Sequence, residues 1–325
     1  MTENNPISRP KAFFLNGGMG RIICAIPALE KYYNESNDKD FIIVIEGIQN
    51  ILDGHPTLDS KTFDYGHKNL FHTKLVKMDV ISLEPYRVWE YYNQKCNITQ
   101  AFDILINNKG VRELSAPTIN LSQEELLAGK KAVKEIKDKL KKEKVIVLQP
   151  FGRGIQQIDN SFVDKTCRSM EFKNLKSIIR KLQAQDYAII LMAEFGIELK
   201  GEKYPDEVAM PEGIDLRKWL AIIKNCDHFL GCDSVGQHLA YIGGTEATVI
   251  IGATFPVNTS YPKTKGINII DMGQIDREYD PIRITNDEQV SRHNEKLMWM
   301  SDEVEDYVVN VILGKQKTDE EEQNE

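Results

Sequence analysis

The chain has 325 residues, enough for two α/β domains, and its 41% hydrophobic content excludes a disordered chain because it can build packed cores. The formal net charge is −8, the first ten residues are polar and no run of 18 residues is apolar, so we expect neither a membrane span nor a signal peptide. Five cysteines without paired C-x-x-C spacing argue against a zinc site or a disulfide framework and favour the reducing cytoplasm.

Strands and helices are predicted to alternate in the first half of the chain. A strand at 12–15 ends in the glycine-rich run Asn16-Gly17-Gly18-Met19-Gly20, and a helix follows through Tyr33. Ser122 and Glu125 form a capping-box pattern that predicts a long helix to about residue 142. Segment 48–100 is not assigned beyond short elements and loops. The remaining predicted strands are at 41–45 and 102–106.

A second series of strands and helices begins at residue 145. Such alternation is typical of parallel sheets with helices on both faces, so we predict an α/β protein with two facing Rossmann-like domains and a cleft between them. The predicted strands are at 145–148, 188–192, 228–230 and 248–251, and the predicted helices at 172–182, 216–224, from 234 onward and at 302–313.

The predicted domain organisation has four parts. A first domain spans 1–143 and a second domain spans 144–290. A helical segment at 291–314 could return to the first domain, and an acidic, disordered tail fills 315–325.

The most informative stretch is 226–241, where a buried strand runs directly into a helix with Asp233 and Ser234 at the junction. Aspartate and serine commonly cap helix starts, and a helix start beyond the carboxyl end of a strand is a common phosphate site in α/β sheets. Gly236 would let a phosphate approach the backbone, and His238 falls in the first helical turn. An ordinary capped helix fits the same pattern.

Several motifs along most of the chain resemble glycosyltransferase family 9, the heptosyltransferase-like enzymes with the GT-B fold. The most specific is Gly231-Cys232-Asp233-Ser234-Val235-Gly236-Gln237-His238-Leu239-Ala240, which is similar to the family's Gly-Asn-Asp-Ser-Gly-x-x-His-Leu-Ala. The other matching segments are 18–29, 53–59, 102–106, Gly244-Thr245 and Gly252-Ala253-Thr254-Phe255-Pro256.

The resemblance implies transfer of a hexosyl, pentosyl or heptosyl group from a nucleotide diphosphate sugar to a hydroxyl, with inversion. The second domain would hold the donor and the first would meet the acceptor. No cofactor or metal is expected, because helix-terminus amides and basic side chains can stabilise the leaving diphosphate. The expected donor-binding residues are Gly18, Met19, Gly20, Arg153, Arg168, Asp233, Ser234, Val235, Gly236, Gln237 and His238.

Two of these assignments rest on charge. Arg168 falls where the family has a lysine, although the aromatic-proline pair that follows it in the family is replaced here by Ser169-Met170. A solvated surface arginine fits the position equally well. Arg153 lies in a glycine-rich loop, and arginine suits bidentate phosphate recognition.

The sequence departs from the family at two positions. Val235 replaces a glycine, so the phosphate loop should be locally rearranged. Arg21 replaces the aspartate taken as the general base, and an arginine cannot accept the proton, so we assign Arg21 an electrostatic role at a phosphate. Either another group is the base, or the acceptor needs little base assistance, or catalysis is lost. Candidate bases are Asp53, His55, Asp64, His67 and Asp103.

The acceptor stays open in the sequence. A lipid-linked or surface sugar is the family default, whereas a hydroxylated base in DNA is the second option, because segment 61–112 has eight Lys/Arg against five Asp/Glu. The sequence also allows a non-catalytic sugar-nucleotide binding protein or another GT-B enzyme such as an epimerase. A nicotinamide-dependent dehydrogenase is disfavoured, because the run 16–20 lacks the G-x-G-x-x-G spacing.

Overall fold

The computed structural model describes residues 9–152, 154–158, 161–164, 166–193, 208–211, 213, 215–278, 294 and 296–315. The chain divides into two compact units, Met1–Asn120 and Leu121–Glu325. Each is built on a parallel sheet, as predicted for two Rossmann-like domains. Within the described ranges, no helix is long and apolar enough to cross a membrane.

The first unit contains a four-stranded sheet with the order β3-β2-β1-β4. An aromatic cluster packs beside this sheet: the rings of Phe13 in β1, Tyr32 in α1 and Phe41 make edge contacts with centroids 4.9–6.0 Å apart. Its strands are β1 (Lys11–Leu15), β2 (Ile42–Ile45), β3 (Thr62–Asp64) and β4 (Asp79–Ser82), and its helices are α1 (Met19–Glu35), α2 (Trp89–Tyr92) and α3 (Ile98–Asn107), with short helical turns at Gln49–Leu52, Asp59–Lys61, Leu70–Lys74 and Pro85–Arg87.

The strand predicted at 102–106 is wrong, because these residues belong to α3. Asn97 starts the helix with a capping box: its side chain accepts from the Gln100 amide at 2.9 Å, and the Gln100 side chain accepts from the Asn97 amide at 3.0 Å. Asn108 ends it in the left-handed conformation with φ 52°. The apolar residues then bury one helical face, at Ile98, Ala101, Phe102 and Ile106.

The second unit contains a six-stranded parallel sheet with the order β12-β11-β10-β5-β8-β9, and a separate antiparallel pair, β6 and β7. The predicted strands and helices of this half are all found. The strands are β5 (Lys144–Gln149), β6 (Ile155–Ile158), β7 (Ser161–Asp164), β8 (Tyr187–Leu191), β9 (Val208–Ala209), β10 (His228–Cys232), β11 (Ala247–Ile251) and β12 (Ile267–Asp271), and the helices are α4 (Gln123–Leu140), α5 (Phe172–Gln183), α6 (Leu216–Ile223), α7 (Val235–Gly243), α8 (Pro256–Thr259) and α9 (Asp302–Ile312).

The division between the units lies before α4, whereas the sequence placed it after this helix. The capping box of Ser122 and Glu125 forms as predicted. Glu125 also accepts from Arg217 Nε of α6 at 2.6 Å, and these hydrogen bonds lower the pKa of Glu125 to about 2. A Cβ atom on Gly129 would lie 2.4 Å from the backbone of Ala221, so a glycine is needed where the two helices meet. These contacts attach α4 to the second unit.

The last helix, α9, packs within the second unit against α5, whereas the sequence suggested that it could return to the first domain. Glu305 of α9 is 1% exposed. Its carboxylate accepts from Asn174 Nδ2 at 2.7 Å and from the Ser177 hydroxyl, and it pairs with Lys181 Nζ at 3.1 Å. The predicted acidic tail lies outside the described residues after Lys315.

Candidate functional site

The predicted donor site lies where β5, β10 and β11 end, because these strands are neighbours and run in parallel. Asp233 follows β10 and is 6% exposed. Its Oδ1 accepts from Gln237 Nε2 at 2.8 Å, and its Oδ2 accepts from Thr254 Oγ1 at 2.8 Å. The carboxylate therefore joins the start of α7 to the loop after β11.

The start of α7 is capped from another strand, contrary to the sequence-based expectation. Ser234 is the residue before the helix, but its side chain makes no capping hydrogen bond. Instead, the Gly236 amide donates to Gln149 Oε1, at the end of β5, at 2.7 Å. One of the amides that open the helix is thus already used inside the protein.

The space beside Gly236 is filled by protein atoms. A Cβ atom there would lie 2.5 Å from Gln149 Oε1 and 2.5 Å from Phe229 Cζ. Gly236 is buried, and the space that its missing side chain leaves is filled by Gln149 and Phe229. The glycine therefore permits close packing at the sheet edge, and the approach of a phosphate to it stays a prediction.

Burial divides the predicted donor-binding residues of this loop into two groups. Asp233, Gly236, Gln237 and His238 are buried, and Gln237 is fully so. Ser234 and Val235 are partly exposed. The buried group holds the loop in place, and the exposed group is what the loop presents at the surface.

His238 faces inward, toward Tyr261. Its Nδ1 lies 2.7 Å from the Tyr261 hydroxyl, and Tyr261 in turn stacks on Tyr241 with centroids 3.8 Å apart. Burial lowers the pKa of His238 to about 4, although the charge of Asp233 opposes the shift. The imidazole is therefore neutral at pH 7, and its described contacts fix aromatic side chains beside α7.

Arg168, an expected donor-binding residue, lies at the start of α7. Its Nη1 donates to the Asp233 carbonyl oxygen at 3.4 Å and lies 3.7 Å from Asp233 Oδ2. Its Nε donates to Thr166 Oγ1 at 3.0 Å, and its side chain is 21% exposed. A partly exposed guanidinium thus lies beside the positive end of a helix dipole. The contact with a phosphate stays a prediction.

Asp164, which the sequence analysis missed, supports this arginine. Its Oδ1 accepts from the Thr166 amide and hydroxyl at 2.7 and 2.6 Å, and its Oδ2 accepts from the Ser169 amide and hydroxyl at 2.9 and 2.5 Å. Burial would raise the pKa of Asp164, but the hydrogen bonds from Ser169 and Thr166 and the charge of Arg168 outweigh it, so the pKa lies below its usual value. The only sequence signal was an Asp-x-Thr turn pattern.

Arg153, the other predicted phosphate contact, lies outside the described residues. Its neighbour Gly154 packs tightly, since a Cβ atom there would lie 2.3 Å from Asp164 Oδ1. In the described part of the chain, no three His, Cys, Asp or Glu side chains gather in a way that could hold a metal ion.

The glycine-rich run of the first unit joins β1 to α1 as predicted. Gly17 has φ 94°, which favours glycine, and Gly18 precedes the helix. Met19 is 37% exposed and Gly20 is partly exposed. The assignment of this run to donor binding stays a prediction.

Arg21 lies in the interior of the first unit, with a side chain that is 2% exposed. Its Nη2 donates to the Leu83 carbonyl oxygen and lies 3.5 Å from Glu84 Oε1. Its guanidinium carbon is 5.4 and 5.9 Å from the ring centroids of Tyr86 and Phe102. The described contacts of Arg21 are therefore made within the unit, and its electrostatic role at a phosphate stays a prediction.

Two of the candidate bases hold the first unit together. Asp103 is 1% exposed and receives Arg112 Nε and Nη2 at 2.6 and 2.9 Å. His55 is buried, with Nε2 3.0 Å from Glu30 Oε1 and Nδ1 accepting from the Leu58 amide at 3.2 Å. Asp64 accepts from the Gly66 amide at 2.7 Å. His67 is exposed and accepts from the Asn69 amide at 3.3 Å. For Asp53, the fifth candidate, the role as a base stays a prediction.

Comparison with solved structures confirms the predicted fold. A family 9 glycosyltransferase from Veillonella parvula has a TM-score of 0.63 at 13% identity, over 95% of this chain and 98% of that one. The ADP-heptose lipopolysaccharide heptosyltransferase II of E. coli has a TM-score of 0.55 at 10% identity, over 94% and 99%. TibC, an iron-containing dodecameric glycosyltransferase from enterotoxigenic E. coli, has a TM-score of 0.57 at 13% identity, over 94% and 77%.

These likenesses define the class of fold: the chain has the GT-B architecture of heptosyltransferase-like glycosyltransferases. At a sequence identity of 10–13%, structural similarity shows the fold and not the activity. No protein-family profile matches the sequence. No curated protein matches it by sequence either.

Proposed function

We propose that the protein is a glycosyltransferase that moves a sugar from a nucleotide diphosphate sugar to an acceptor hydroxyl, with inversion and without a metal ion. The observation that carries the proposal is Arg168, a partly exposed cation that Asp164 and Asp233 hold at the start of α7. The fold of solved nucleotide-sugar enzymes over nearly the whole chain supports it.

The chemistry follows from the charge that develops on the donor. The acceptor oxygen attacks the anomeric carbon, the bond from that carbon to the diphosphate oxygen breaks, and the electron pair leaves on the diphosphate. Arg168 and the amino end of α7 stabilise this negative charge electrostatically. Ser234, partly exposed at the same position, offers a hydroxyl that donates to a phosphate oxygen.

ADP-heptose is the first donor to test, because a TibC structure with a TM-score of 0.58 to this chain contains ADP-D-β-D-heptose. We propose a glycan or lipid-linked sugar as the acceptor. A hydroxylated base in DNA is the second acceptor, on the strength of the basic stretch 61–112. Transfer of radiolabelled sugar to a glycan panel, compared with transfer to hydroxymethylated duplex DNA, separates these acceptors.

The matched pair Arg168→Met and Lys173→Met tests the donor site. Lys173 is an exposed cation on α5, so its variant makes the same loss of charge elsewhere in the unit. We expect Arg168→Met to weaken nucleotide diphosphate binding by about 10- to 100-fold, the equivalent of one charge-assisted hydrogen bond, with Lys173→Met unchanged. Calorimetric titration with ADP and UDP measures the difference. Equal affinities in both variants would place the diphosphate elsewhere.

A non-catalytic sugar-nucleotide binding protein is the competing function, favoured by the arginine at position 21 where the family has its base. Binding of a nucleotide sugar with neither transfer nor hydrolysis across the donor and acceptor panels would establish it. Release of the nucleoside diphosphate from the donor in the presence of an acceptor would exclude it.

A further inference from the structure

The buried cation at position 21 has a carboxylate beside it. Arg21 Nη2 lies 3.5 Å from Glu84 Oε1. The arginine side chain is 2% exposed, whereas the glutamate side chain is 24% exposed. The pair is therefore asymmetric: its positive member is enclosed, whereas its negative member is partly exposed, with the Oε1 atom beside Arg21 itself buried.

The topology puts this carboxylate at the same sheet edge as the glycine-rich run. Strands β1 and β4 pair in parallel, with Phe14 opposite Ser82, and the Leu83 amide donates to the Phe14 carbonyl oxygen at 3.4 Å. Glu84 follows directly, while the run 16–18 leaves the end of β1. Since the carboxyl ends of neighbouring parallel strands meet at one edge, Glu84 lies beside the start of α1, where the resemblance places the base.

Arg21 is built to orient Glu84. Its guanidinium is bound to the Leu83 carbonyl oxygen and lies near the rings of Tyr86 and Phe102. A cation enclosed in this way attracts a carboxylate strongly, since few water molecules screen it. Arg21 thus binds the backbone of Leu83 and attracts the side chain of the next residue, Glu84.

We propose that Glu84 is the general base of the transfer reaction and that Arg21 is its positioning residue. The carboxylate has moved to the end of the neighbouring strand, and an arginine stands where the family has its aspartate. As the acceptor oxygen bonds to the anomeric carbon, its proton passes to a Glu84 carboxylate oxygen. The bond to the diphosphate breaks, and the proton is later released to water. This inference rests on the proposed transferase.

The contacts of three other candidates support this choice. Both Asp103 and His55 are buried in ion pairs or hydrogen bonds that fasten the first unit. Asp64 closes the turn to Gly66. Glu84, by contrast, combines partial exposure with a dedicated cation at the expected position.

The test is Glu84→Gln, which keeps the shape and removes the proton acceptor, compared with Glu46→Gln. Glu46 follows β2 at the same sheet edge and is exposed. We expect Glu84→Gln to lower kcat by roughly 10²- to 10⁴-fold with the donor KM within about twofold of the parent. Glu46→Gln should match the parent in both, and Glu84→Asp should keep more activity than Glu84→Gln. A Glu84→Gln variant with the parent's kcat overturns the assignment.

A second comparison tests the base if the Glu84→Gln variant does not fold. The variant Arg21→Met removes the buried cation, so the carboxylate can also be removed in that background without leaving an unpaired charge. Going from Arg21→Met to Arg21→Met/Glu84→Gln should lower kcat by at least 10-fold at an unchanged melting temperature. Equal rates in these two variants would assign Glu84 a structural role only.

The outcome is separable from that of the proposed function. An active parent with a fully active Glu84→Gln variant rejects this base and leaves the transferase standing. A parent that binds nucleotide sugars but neither transfers nor hydrolyses them rejects both.

Discussion

The substitution Gly236→Ala tests whether the glycine of the α7 start serves packing or ligand approach. The added Cβ atom would lie 2.5 Å from both Gln149 Oε1 and Phe229 Cζ. Both neighbours are enclosed on central strands, since Gln149 is 7% exposed and Phe229 is fully buried. Neither can move aside without disturbing β5 or β10.

The expected cost has two parts. Overpacking in a close-packed interior costs about 1–3 kcal/mol. Displacing Gln149 also breaks its hydrogen bond with the Gly236 amide, which contributes about 1 kcal/mol. A total of about 2–4 kcal/mol is a large part of a typical unfolding free energy of about 5–15 kcal/mol. For a unit of this size it lowers the melting temperature by roughly 5–15 °C.

Urea unfolding without ligand, followed by tryptophan fluorescence, to which the buried Trp219 contributes, measures this loss. Gly243→Ala is the matched control, because it adds the same methyl group at the end of the same helix. There the nearest atoms are Lys224 Cγ and Thr245 Oγ1, both 3.1 Å away, and the lysine chain can shift. We expect the control to change the unfolding free energy by about 0.5 kcal/mol or less.

The reverse pattern would refute the packing argument. If Gly236→Ala unfolds at the parent's urea concentration but binds ADP or UDP much more weakly, then the missing side chain faces the ligand. In that case Gly236 has the role that the sequence first suggested for it.

Two further predictions concern stability. Burial lowers the pKa of both His228 and His238 to about 4, so the unfolded chain binds their protons at a higher pH than the folded chain does. The contribution of these histidines to the unfolding free energy should be constant above pH 6.5 and should decrease toward pH 4 by about 1.4 kcal/mol per pH unit for each histidine. His238→Gln should halve that slope in urea titrations. Glu125→Gln breaks the ion pair with Arg217 and should lower the unfolding free energy by about 1–3 kcal/mol, measured by the same tryptophan fluorescence. An unchanged unfolding free energy would contradict the assignment of α4 to the second unit.

Elements that depend on local signals could be predicted from the sequence. The helix after Ser122 was found because its capping residues lie three apart in the chain, and the capping box forms as expected. The same signal lies in Asn97 and Gln100, and it would have identified α3. The apolar run 102–106 suggested a strand instead, since a short apolar run does not distinguish a buried strand from a buried helix.

The contacts that build the donor site could not be predicted in this way. Gln149 caps a helix 87 positions further along the chain, and Thr254 reaches Asp233 across 21 positions. Such partners meet only because β5, β10 and β11 are neighbours in the sheet. The order of strands in a sheet cannot be inferred from any single segment of the sequence. The sequence thus located the edge of the sheet but could not show which residues pack against Gly236.

The buried residues of the site show why packing roles and ligand contacts are hard to separate from the sequence. Asp233 accepts hydrogen bonds from the side chains of Gln237 and Thr254. Asp164 accepts hydrogen bonds from Ser169 and Thr166. The oxygens of both carboxylates are therefore engaged by the protein itself. A loop fixed in this way holds its exposed groups in one geometry before a ligand arrives, which is what electrostatic stabilisation of a leaving group requires. Most residues of a recognisable motif then shape the site and only a few can touch a ligand, which is the role proposed for Arg168. Loss of activity in a variant of this loop therefore identifies a ligand contact only when its unfolding free energy is measured alongside.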